Sequence, residues 1–334
     1  MVVFVTLQEG ARHVDLLLRC YGHQHARRLS EITYHALAQR DEVPAGVYVF
    51  CDRERMSEGQ RMLAARLWAR FQTAEASVRL LNNPLRQLPR YDFLKALHAR
   101  NLNDYDLWPA HALPDDIRFP VFVRHARDHS GPQTGLLMDR DSLFLALAKM
   151  LLLGSRPEDL LVVEHLETAD DCGLYRKYGA FRIGDLVFGQ HVLMGTDWCV
   201  KSENAIATPE ALEENSAYIR NDPHARLLMP FFEQAGIEYG RIDYSFSGDR
   251  IQVWEINDNP QFVSAHPRPM SREFKVLLYL DALDALGQSL EPCQTVRLDA
   301  FDEGVWRCLE PAHGGPGKMA LLPNKAIFEP TLVP

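Results

Sequence analysis

Acidic and amide side chains are grouped at the end of an apolar stretch, in the sequence VWEINDNPQF at 253–262. Alternate side chains of a strand point to the same face, so Glu255 and Asn257 should project together. Trp254 and Ile256 should project to the opposite face. Oxygen ligands grouped in this way suit a hard cation such as Mg²⁺. The alternative is an ordinary strand that runs into an Asn/Asp/Pro turn, where these residue types are common.

The segment RIDYSF at 241–246 predicts a second strand, joined to the first by a short turn. If the loop has an odd number of residues, with 248–250 as its tip, Asp243 lies opposite Glu255 and the two carboxylates meet. A two-residue Gly-Asp turn would instead place Asp243 opposite Trp254. Facing carboxylates without a cation repel each other, so a metal site explains the first arrangement, whereas a purely structural interpretation requires a polar sheet face.

The elements before this hairpin alternate between strands and helices. Short β-branched or aromatic runs predict strands, and apolar residues at spacings of three and four predict a helix at 59–72. This alternation is typical of a small α/β domain over 1–88. The predicted strands of this domain lie at 1–6, 46–51 and 78–83.

The middle of the chain contains further strong patterns. A helix with Phe93, Leu94 and Leu97 on one side is predicted at 90–101, and a second helix should be capped by Asp139 or Asp141. The remaining elements are predicted strands at 119–126 and 159–166 and a hairpin at 177–194 that turns at Gly184-Asp185.

Composition limits the class of protein. The chain has 334 residues and a net charge of −9, which disfavours a broad nucleic-acid-binding face. Its six cysteines form no metal-ligand spacing and are typical of reduced thiols. The longest apolar run, at 143–154, is interrupted by Lys149 and is too short to span a bilayer. We therefore expect a cytoplasmic protein with no membrane partner.

Taken together, these segments resemble the ATP-grasp superfamily, with its carboxylate-amine ligases similar to D-alanine–D-alanine ligase and glutathione synthetase. RIDYSFSGDRIQVWEINDNP resembles the family's metal segment, in which Asp and a hairpin precede Glu-x-Asn and Pro. The upstream segments also appear in the family's order. They are RLLNNPLRQLPRYDFLKAL at the domain junction, FPVFVR with the loop HARDHSGPQTG at the phosphates, VVEHLE at the hinge and KYGAFRIGD after it.

The resemblance implies a mixed α/β and α+β architecture, the ATP-grasp fold, in which two lobes clamp ATP. It implies a Rossmann-like pre-ATP-grasp domain at 1–88, a first lobe at 89–165, a second lobe with the metal site at 166–290 and a tail at 291–334. The implied activity is ATP-dependent ligation of a small-molecule carboxylate to an amine, with Mg²⁺, through an acyl phosphate and with release of ADP. The alternatives to a ligase are a kinase of the same fold and a nucleotide-binding regulatory protein without turnover.

The resemblance also assigns roles to individual residues. The metal ligands would be Asp243, Glu255 and Asn257, and the residues at the reacting groups would be Arg241 and Lys201. The nucleotide would contact Arg90, Arg124, Glu164, Leu166 and Lys177.

Two features depart from the family. Arg90 and Arg124 stand where lysines are usual, and both are alternatively plain surface cations. The loop 127–135 has only Gly131 and Gly135, so it is poorer in glycine than is usual for a loop that binds phosphate through backbone amides.

Overall fold

The structure is a computed structural model, and two compact units divide the chain. Leu88–Asn257 forms one unit, and the described residues before and after it group together in the other. The predicted second lobe extends past Asn257 to 290, so its last part falls in the other unit, while the three predicted domain boundaries stay predictions. The described residues are 1–7, 29–71, 77–127, 131–260, 271–288, 290 and 294–300.

The first unit contains a four-stranded parallel sheet with the strand order β2-β1-β4-β5. Its predicted strands are confirmed, although β5 ends at Leu81. The helix at the predicted position 59–72 begins with a capping box between Ser57 and Gln60. The elements are β1 (Val2–Thr6), β2 (Leu29–Thr33), α1 (Tyr34–Ala38), β3 (Glu42–Pro44), β4 (Gly46–Phe50), a 3₁₀ turn (Arg53–Arg55), α2 (Glu58–Ala69) and β5 (Val78–Leu81).

A buried carboxylate holds the 3₁₀ turn of this unit. The Asp258 carboxylate accepts hydrogen bonds from the backbone amides of Asp52, at 3.1 Å, and Arg53, at 2.9 Å. The Asn259 amide nitrogen in turn donates to Asp52 at 2.9 Å. The residues that directly follow the last hairpin are therefore tied to the end of β4.

The second unit begins with a helix and a three-stranded antiparallel sheet in the order β6-β8-β7. Asp139 caps its second helix, as one of the two predicted alternatives. Phe93, Leu94 and Leu97 are buried on one side of the first helix, as predicted. The elements are α3 (Arg90–Ala99), β6 (Leu107–Pro109), β7 (Val121–His125), α4 (Arg140–Leu152), a 3₁₀ turn (Pro157–Asp159) and β8 (Leu160–Glu164).

A four-stranded antiparallel sheet in the order β10-β9-β11-β12 completes the second unit. The predicted hairpin with Gly184-Asp185 at its turn is confirmed as β9 and β10. The elements are β9 (Tyr175–Ile183), β10 (Leu186–Gly195), α5 (Pro209–Asn221), α6 (Ala225–Ala235), β11 (Tyr239–Ser247) and β12 (Arg250–Asn257).

The last two elements, α7 (Ser271–Leu286) and β13 (Thr295–Arg297), belong to the first unit, where β13 pairs with β3. Most of the predicted tail at 291–334 lies outside the described residues. None of the described helices combines the length and the apolar character that crossing a bilayer requires.

One apolar core joins the two sheets of the second unit. It contains buried side chains from α3, β6, β8, α6 and all four strands of the larger sheet, so the helix that begins at Arg90 packs in the same core as the β11–β12 hairpin. A shared core fixes the distance between charged side chains that these elements carry on their outer faces.

The β11–β12 hairpin combines a two-residue turn with facing carboxylates. Ser247 pairs with Arg250, so of the two turns considered the structure has the two-residue Gly248-Asp249 turn and not the three-residue tip. The register shifts by one residue next to Asp243, and Asp243 lies opposite Glu255. Trp254 is the extra residue of a β-bulge, which produces this shift. The bulge therefore places Asp243 opposite Glu255 although the turn has two residues.

The bulge also changes which side chains of β12 face the core. Val253 and Ile256 are both buried in the core of this unit, although they are three residues apart. Trp254, the bulged residue, also packs against the core that contains Ile256. Trp254 is partly buried, and its indole nitrogen donates to the Ser245 hydroxyl at 2.9 Å.

Candidate functional site

Asp243 lies at the centre of a charged cluster on the larger sheet. Its carboxylate is almost fully buried and accepts two hydrogen bonds from the Arg241 guanidinium, from Nε at 2.7 Å and from Nη2 at 3.3 Å. Lys177 Nζ on the neighbouring strand is 3.2 Å from the second carboxylate oxygen. Burial acts to raise the pKa of Asp243, but the charges of Arg241, Lys177 and His191 outweigh it and hold that pKa well below its usual range.

Glu255 connects this cluster to the smaller sheet. Its Oε2 is 3.0 Å from Arg90 Nη2, at the start of α3, and 2.9 Å from Arg124 Nη2, on β7. Arg90 is buried, and its Nη1 also donates to the carbonyl oxygen of Ala126 at 3.3 Å. The alternative that Arg90 and Arg124 are plain surface cations is therefore wrong.

Arg124 retains a buried donor that no described residue satisfies. Only 9% of Arg124 is exposed, and its Nε has no hydrogen-bond partner among the described residues. A buried unpaired guanidinium nitrogen is costly, and an anionic ligand at this position would supply the acceptor.

Asn257, the third predicted metal ligand, lies at the end of β12 opposite Arg241. It is buried, with 9% of its surface exposed. The backbone of Gly240 passes close to it, since a Cβ built on Gly240 would lie 2.8 Å from the Asn257 carbonyl oxygen. Asn257 is therefore positioned by a close backbone approach that requires glycine.

Lys201 lies on the loop that follows β10 and contacts the predicted phosphate loop. A Cβ built on Gly131 would be 3.3 Å from Lys201 Nζ. The turn that carries Lys201 is held by Asn204, whose side chain accepts from the Lys201 amide at 2.7 Å and donates to the Cys199 carbonyl at 3.1 Å. Residues 128–130 of the predicted phosphate loop lie outside the described part of the chain.

Several of these cations act electrostatically on the Cys199 thiol. Burial raises the pKa of Cys199, while the charges of Lys201, Lys177 and Arg124 act to lower it. Three cations from different elements are thus close enough to one side chain to influence its ionisation.

Glu164 of the predicted hinge has structural partners. Its carboxylate accepts from the backbone amides of Asp106, at 3.0 Å, and Arg118, at 3.1 Å, and forms an ion pair with the Arg118 side chain. Its own amide donates to the Asp106 carbonyl at 3.0 Å. Leu166 lies two residues beyond the end of β8 and packs against the core of the unit.

The cluster as a whole carries an excess of positive charge. Two carboxylates are accompanied by five cations from α3, β7, β9, β11 and the loop after β10, which are Arg90, Arg124, Lys177, Arg241 and Lys201. A local excess of positive charge of this kind attracts a polyanion. No three His, Cys, Asp or Glu side chains among the described residues form a group that could hold a metal ion by themselves.

Two carboxylates and an amide nevertheless fit Mg²⁺. This ion keeps several waters and is commonly bound by one or two carboxylates together with the phosphates of a nucleotide. Asp243, Glu255 and Asn257 lie on one end of one hairpin, and the cations around them suit the phosphates. The residues present therefore fit a metal–nucleotide complex better than a metal ion alone.

Comparisons with known proteins address the fold. No family model and no curated protein sequence matches the chain. The crystal structure of D-alanine–D-alanine ligase from Bacillus anthracis complexed with ATP is similar over 86% of this chain and 97% of its own, with 13% identity and a TM-score of 0.51. The chain has the ATP-grasp fold.

Two further solved structures cover most of this ATP-grasp chain. D-alanine–D-alanine ligase from Coxiella burnetii covers 92% of it and 98% of its own length, with 12% identity and a TM-score of 0.49. A RimK domain ATP-grasp protein from Sphaerobacter thermophilus covers 87% and 99%, with 15% identity and a TM-score of 0.47.

Sequence reasoning missed two residues near the cluster of this ATP-grasp chain. His191 on β10 influences the ionisation of Asp243. Trp198 packs against Phe122, at 4.9 Å between ring centroids, and against His165, at 5.6 Å, so it fastens the Lys201 loop to the smaller sheet. The one available signal for His191 was Gly179, a glycine inside a strand pattern, which indicates a close approach of another group.

Proposed function

We propose that this chain is an ATP-dependent ligase that joins a small-molecule carboxylate to an amine and releases ADP and phosphate. The observation that carries the proposal is the pair of facing carboxylates, Asp243 and Glu255, in a cluster of five cations supplied by both sheets, by α3 and by the loop after β10. The ATP-grasp fold supports it, since the similar Bacillus anthracis ligase is a complex with ATP.

The positively charged residues would bind the triphosphate. Arg90 approaches from α3, Arg124 from the smaller sheet and Lys177 from the larger one. Lys201 reaches the loop at Gly131. The hinge at Glu164 and Leu166 would bind adenine through its backbone. Because the Glu164 carboxylate and amide already have partners, we assign this contact to the backbone near Leu166.

Asp243, Glu255 and Asn257 would hold Mg²⁺ against the phosphates. When bound, this ion would neutralise charge on the phosphates as the terminal phosphoryl group is transferred. Each carboxylate now faces guanidinium or ammonium groups, at 2.7–3.2 Å. We propose that these cations move to the phosphate oxygens when the nucleotide binds, and that the freed carboxylate oxygens take the metal.

Arg241 would orient the acceptor. Its planar guanidinium matches the geometry of a carboxylate or phosphoryl group, and it lies next to Asp243. In the first step an oxygen of the substrate carboxylate bonds to the γ-phosphorus while the bond to the ADP oxygen breaks. In the second step the amine nitrogen bonds to the acyl carbon, and phosphate and a proton leave. The protein contributes position and charge neutralisation.

The finer architecture belongs to the same proposal. The parallel sheet of the first unit would be the Rossmann-like pre-ATP-grasp domain, and the two antiparallel sheets of the second unit would be the two lobes. We propose a cytoplasmic enzyme whose substrates are small molecules.

Trapping with hydroxylamine tests this function. The protein is incubated with Mg²⁺, ATP and pools of amino acids and other carboxylic acids, and both ADP and hydroxamate are measured. The proposal predicts both products, because an acyl phosphate is electrophilic and accessible to a small amine. ADP with a stable phosphate ester and no hydroxamate would identify a kinase. AMP and pyrophosphate would contradict the proposed chemistry, and a protein that binds ATP but forms no product would be the regulatory alternative.

A further inference from the structure

A single row of residues crosses the whole of the larger sheet at the candidate site. His191 on β10 pairs with Gly179 on β9, Gly179 pairs with Asp243 on β11, and Asp243 pairs with Glu255 on β12. Directly paired residues of antiparallel strands project to the same face. His191 therefore lies in the same row and on the same face as both carboxylates.

Gly179 leaves the space that the imidazole of His191 occupies. A Cβ built on Gly179 would lie 2.5 Å from Cε1, 2.7 Å from Nε2 and 3.0 Å from Nδ1 of His191. The ring thus occupies the place that a side chain at position 179 of β9 would take. Since Gly179 is the direct neighbour of Asp243, the missing side chain lets the ring lean toward that carboxylate.

The place of the imidazole differs from those of the cations that bind Asp243. Arg241 lies on the same strand as Asp243, two residues before it, and Lys177 lies two residues before Gly179 on β9. His191 approaches across the strand, on the side of Asp243 away from Glu255. It is half-buried, and its charge acts on Asp243 in the same direction as those of the two cations.

We propose that His191 is a positioning residue that orients the Asp243 carboxylate for the divalent cation, and that Gly179 is required to admit its ring. Carboxylate ligands need outer partners that fix their rotamer, and loss of such a partner commonly weakens metal binding by about 10–100-fold. Arg241 and Lys177 are assigned to the phosphates and the substrate carboxylate. His191 is then the group that continues to orient Asp243 after these ligands bind. This inference rests on the proposed function, because it takes Asp243 as a metal ligand.

Calorimetric titration of Mg²⁺ into the protein saturated with a non-hydrolysable ATP analogue measures this role without turnover. His191→Ala should weaken Mg²⁺ binding by about tenfold, while binding of the metal-free analogue stays within about twofold of wild type, because His191 acts through Asp243. His191→Gln, which restores a nitrogen donor, should recover most of the lost affinity. His98→Gln on α3, whose Nε2 is 3.5 Å from Asp106, is the matched control and should bind as wild type.

Gly179→Ala supplies a second, independent variant. Its new methyl group displaces the ring, so it should weaken Mg²⁺ binding about as much as His191→Ala does. In the His191→Ala background the three ring atoms nearest to the new methyl group are absent, so the double variant should bind Mg²⁺ no worse than His191→Ala alone. Melting temperatures measured alongside show whether each variant is folded. If His191→Ala does not fold, His191→Gln and Gly179→Ala test the positioning role in its place.

The possible results separate this inference from the proposed function. Four results would each overturn the positioning role. Two concern His191→Ala: an Mg²⁺ affinity equal to that of wild type, or equal losses of affinity for the metal-free and the metal-bound analogue. The other two are failure of His191→Gln to restore Mg²⁺ affinity and additive losses in the double variant. If the wild-type protein itself shows no Mg²⁺-dependent binding of the analogue, the proposed function fails and the inference fails with it.

Discussion

Replacing Glu255 by glutamine removes a carboxylate that faces both Arg90 and Arg124. The two ion pairs have lengths of 3.0 and 2.9 Å, and the side chains of Arg90 and Arg124 are only 2% and 11% exposed. Removing one partner of a buried ion pair typically costs about 3–5 kcal/mol, because the remaining charge stays buried without compensation. We expect Glu255→Gln to lower the free energy of unfolding of the nucleotide-free protein by about this amount.

The size of this effect makes it easy to measure by thermal denaturation. About 2–4 °C per kcal/mol is usual for a domain of 150–250 residues, so the melting temperature should fall by roughly 6–20 °C. Glu158→Gln is the matched control. Glu158 pairs with Arg156 at the surface, where the two side chains are 46% and 71% exposed, so its loss should leave the melting temperature close to that of wild type.

Nucleotide should affect the Glu255→Gln variant in two opposite ways. Metal-free ATP should bind at least as tightly as to wild type, because its phosphates no longer compete with Glu255 for Arg90 and Arg124. The additional stabilisation by Mg²⁺ should be lost, since the variant lacks one of the two carboxylates assigned to the metal. Turnover should nearly disappear. An unchanged melting temperature would refute the ion-pair argument, and an intact Mg²⁺ effect would remove Glu255 from the metal site.

Two further changes test other parts of the structure. Arg124→Ala should weaken binding of ATP by about 1.5–3 kcal/mol, or roughly ten- to a hundredfold, and binding of AMP much less, since Arg124 is assigned to the triphosphate rather than to adenine. Equal losses for both nucleotides, measured by calorimetry, would contradict this. Burial and the neighbouring Asp52 raise the pKa of Asp258 to about 7, so the folded protein binds a proton that the unfolded chain releases near pH 4. Its contribution to stability is therefore present below about pH 4 and is lost as the pH rises to about 7. The free energy of unfolding, measured with urea from pH 4 to 8, should fall less steeply for Asp258→Asn than for wild type, and identical slopes would contradict the assignment.

The fold could be predicted from the sequence where local patterns were strong. The strands at Val2–Thr6 and Gly46–Phe50 are continuous apolar runs, and the cap at Asp139 follows from side-chain chemistry. Helix α5 went unpredicted although Thr208 and Pro209 give it a clear start. Most of its residues are polar, so the few buried positions, Ala211, Tyr218 and Ile219, do not form a clear helical pattern in the sequence.

The site could be predicted only in part, because its geometry depends on contacts between distant segments. Strand parity placed Glu255 and Asn257 together, but the facing of Asp243 and Glu255 is produced by a bulge at Trp254 that no local pattern indicates. The ion pairs from Glu255 to Arg90 and to Arg124 join residues that are 165 and 131 positions apart in the chain. Such pairs are set by the packing of α3 and β7 against the larger sheet.

Binding of a non-hydrolysable ATP analogue, measured by calorimetry with and without Mg²⁺, tests most directly whether this charged cluster is a metal–nucleotide site. We expect one analogue molecule to bind per chain, with an affinity that increases when Mg²⁺ is added and with no such increase in the Glu255→Gln variant. Absence of binding at concentrations far above those of cellular ATP, or binding that is unaffected by Mg²⁺ in the wild-type protein, would contradict the account.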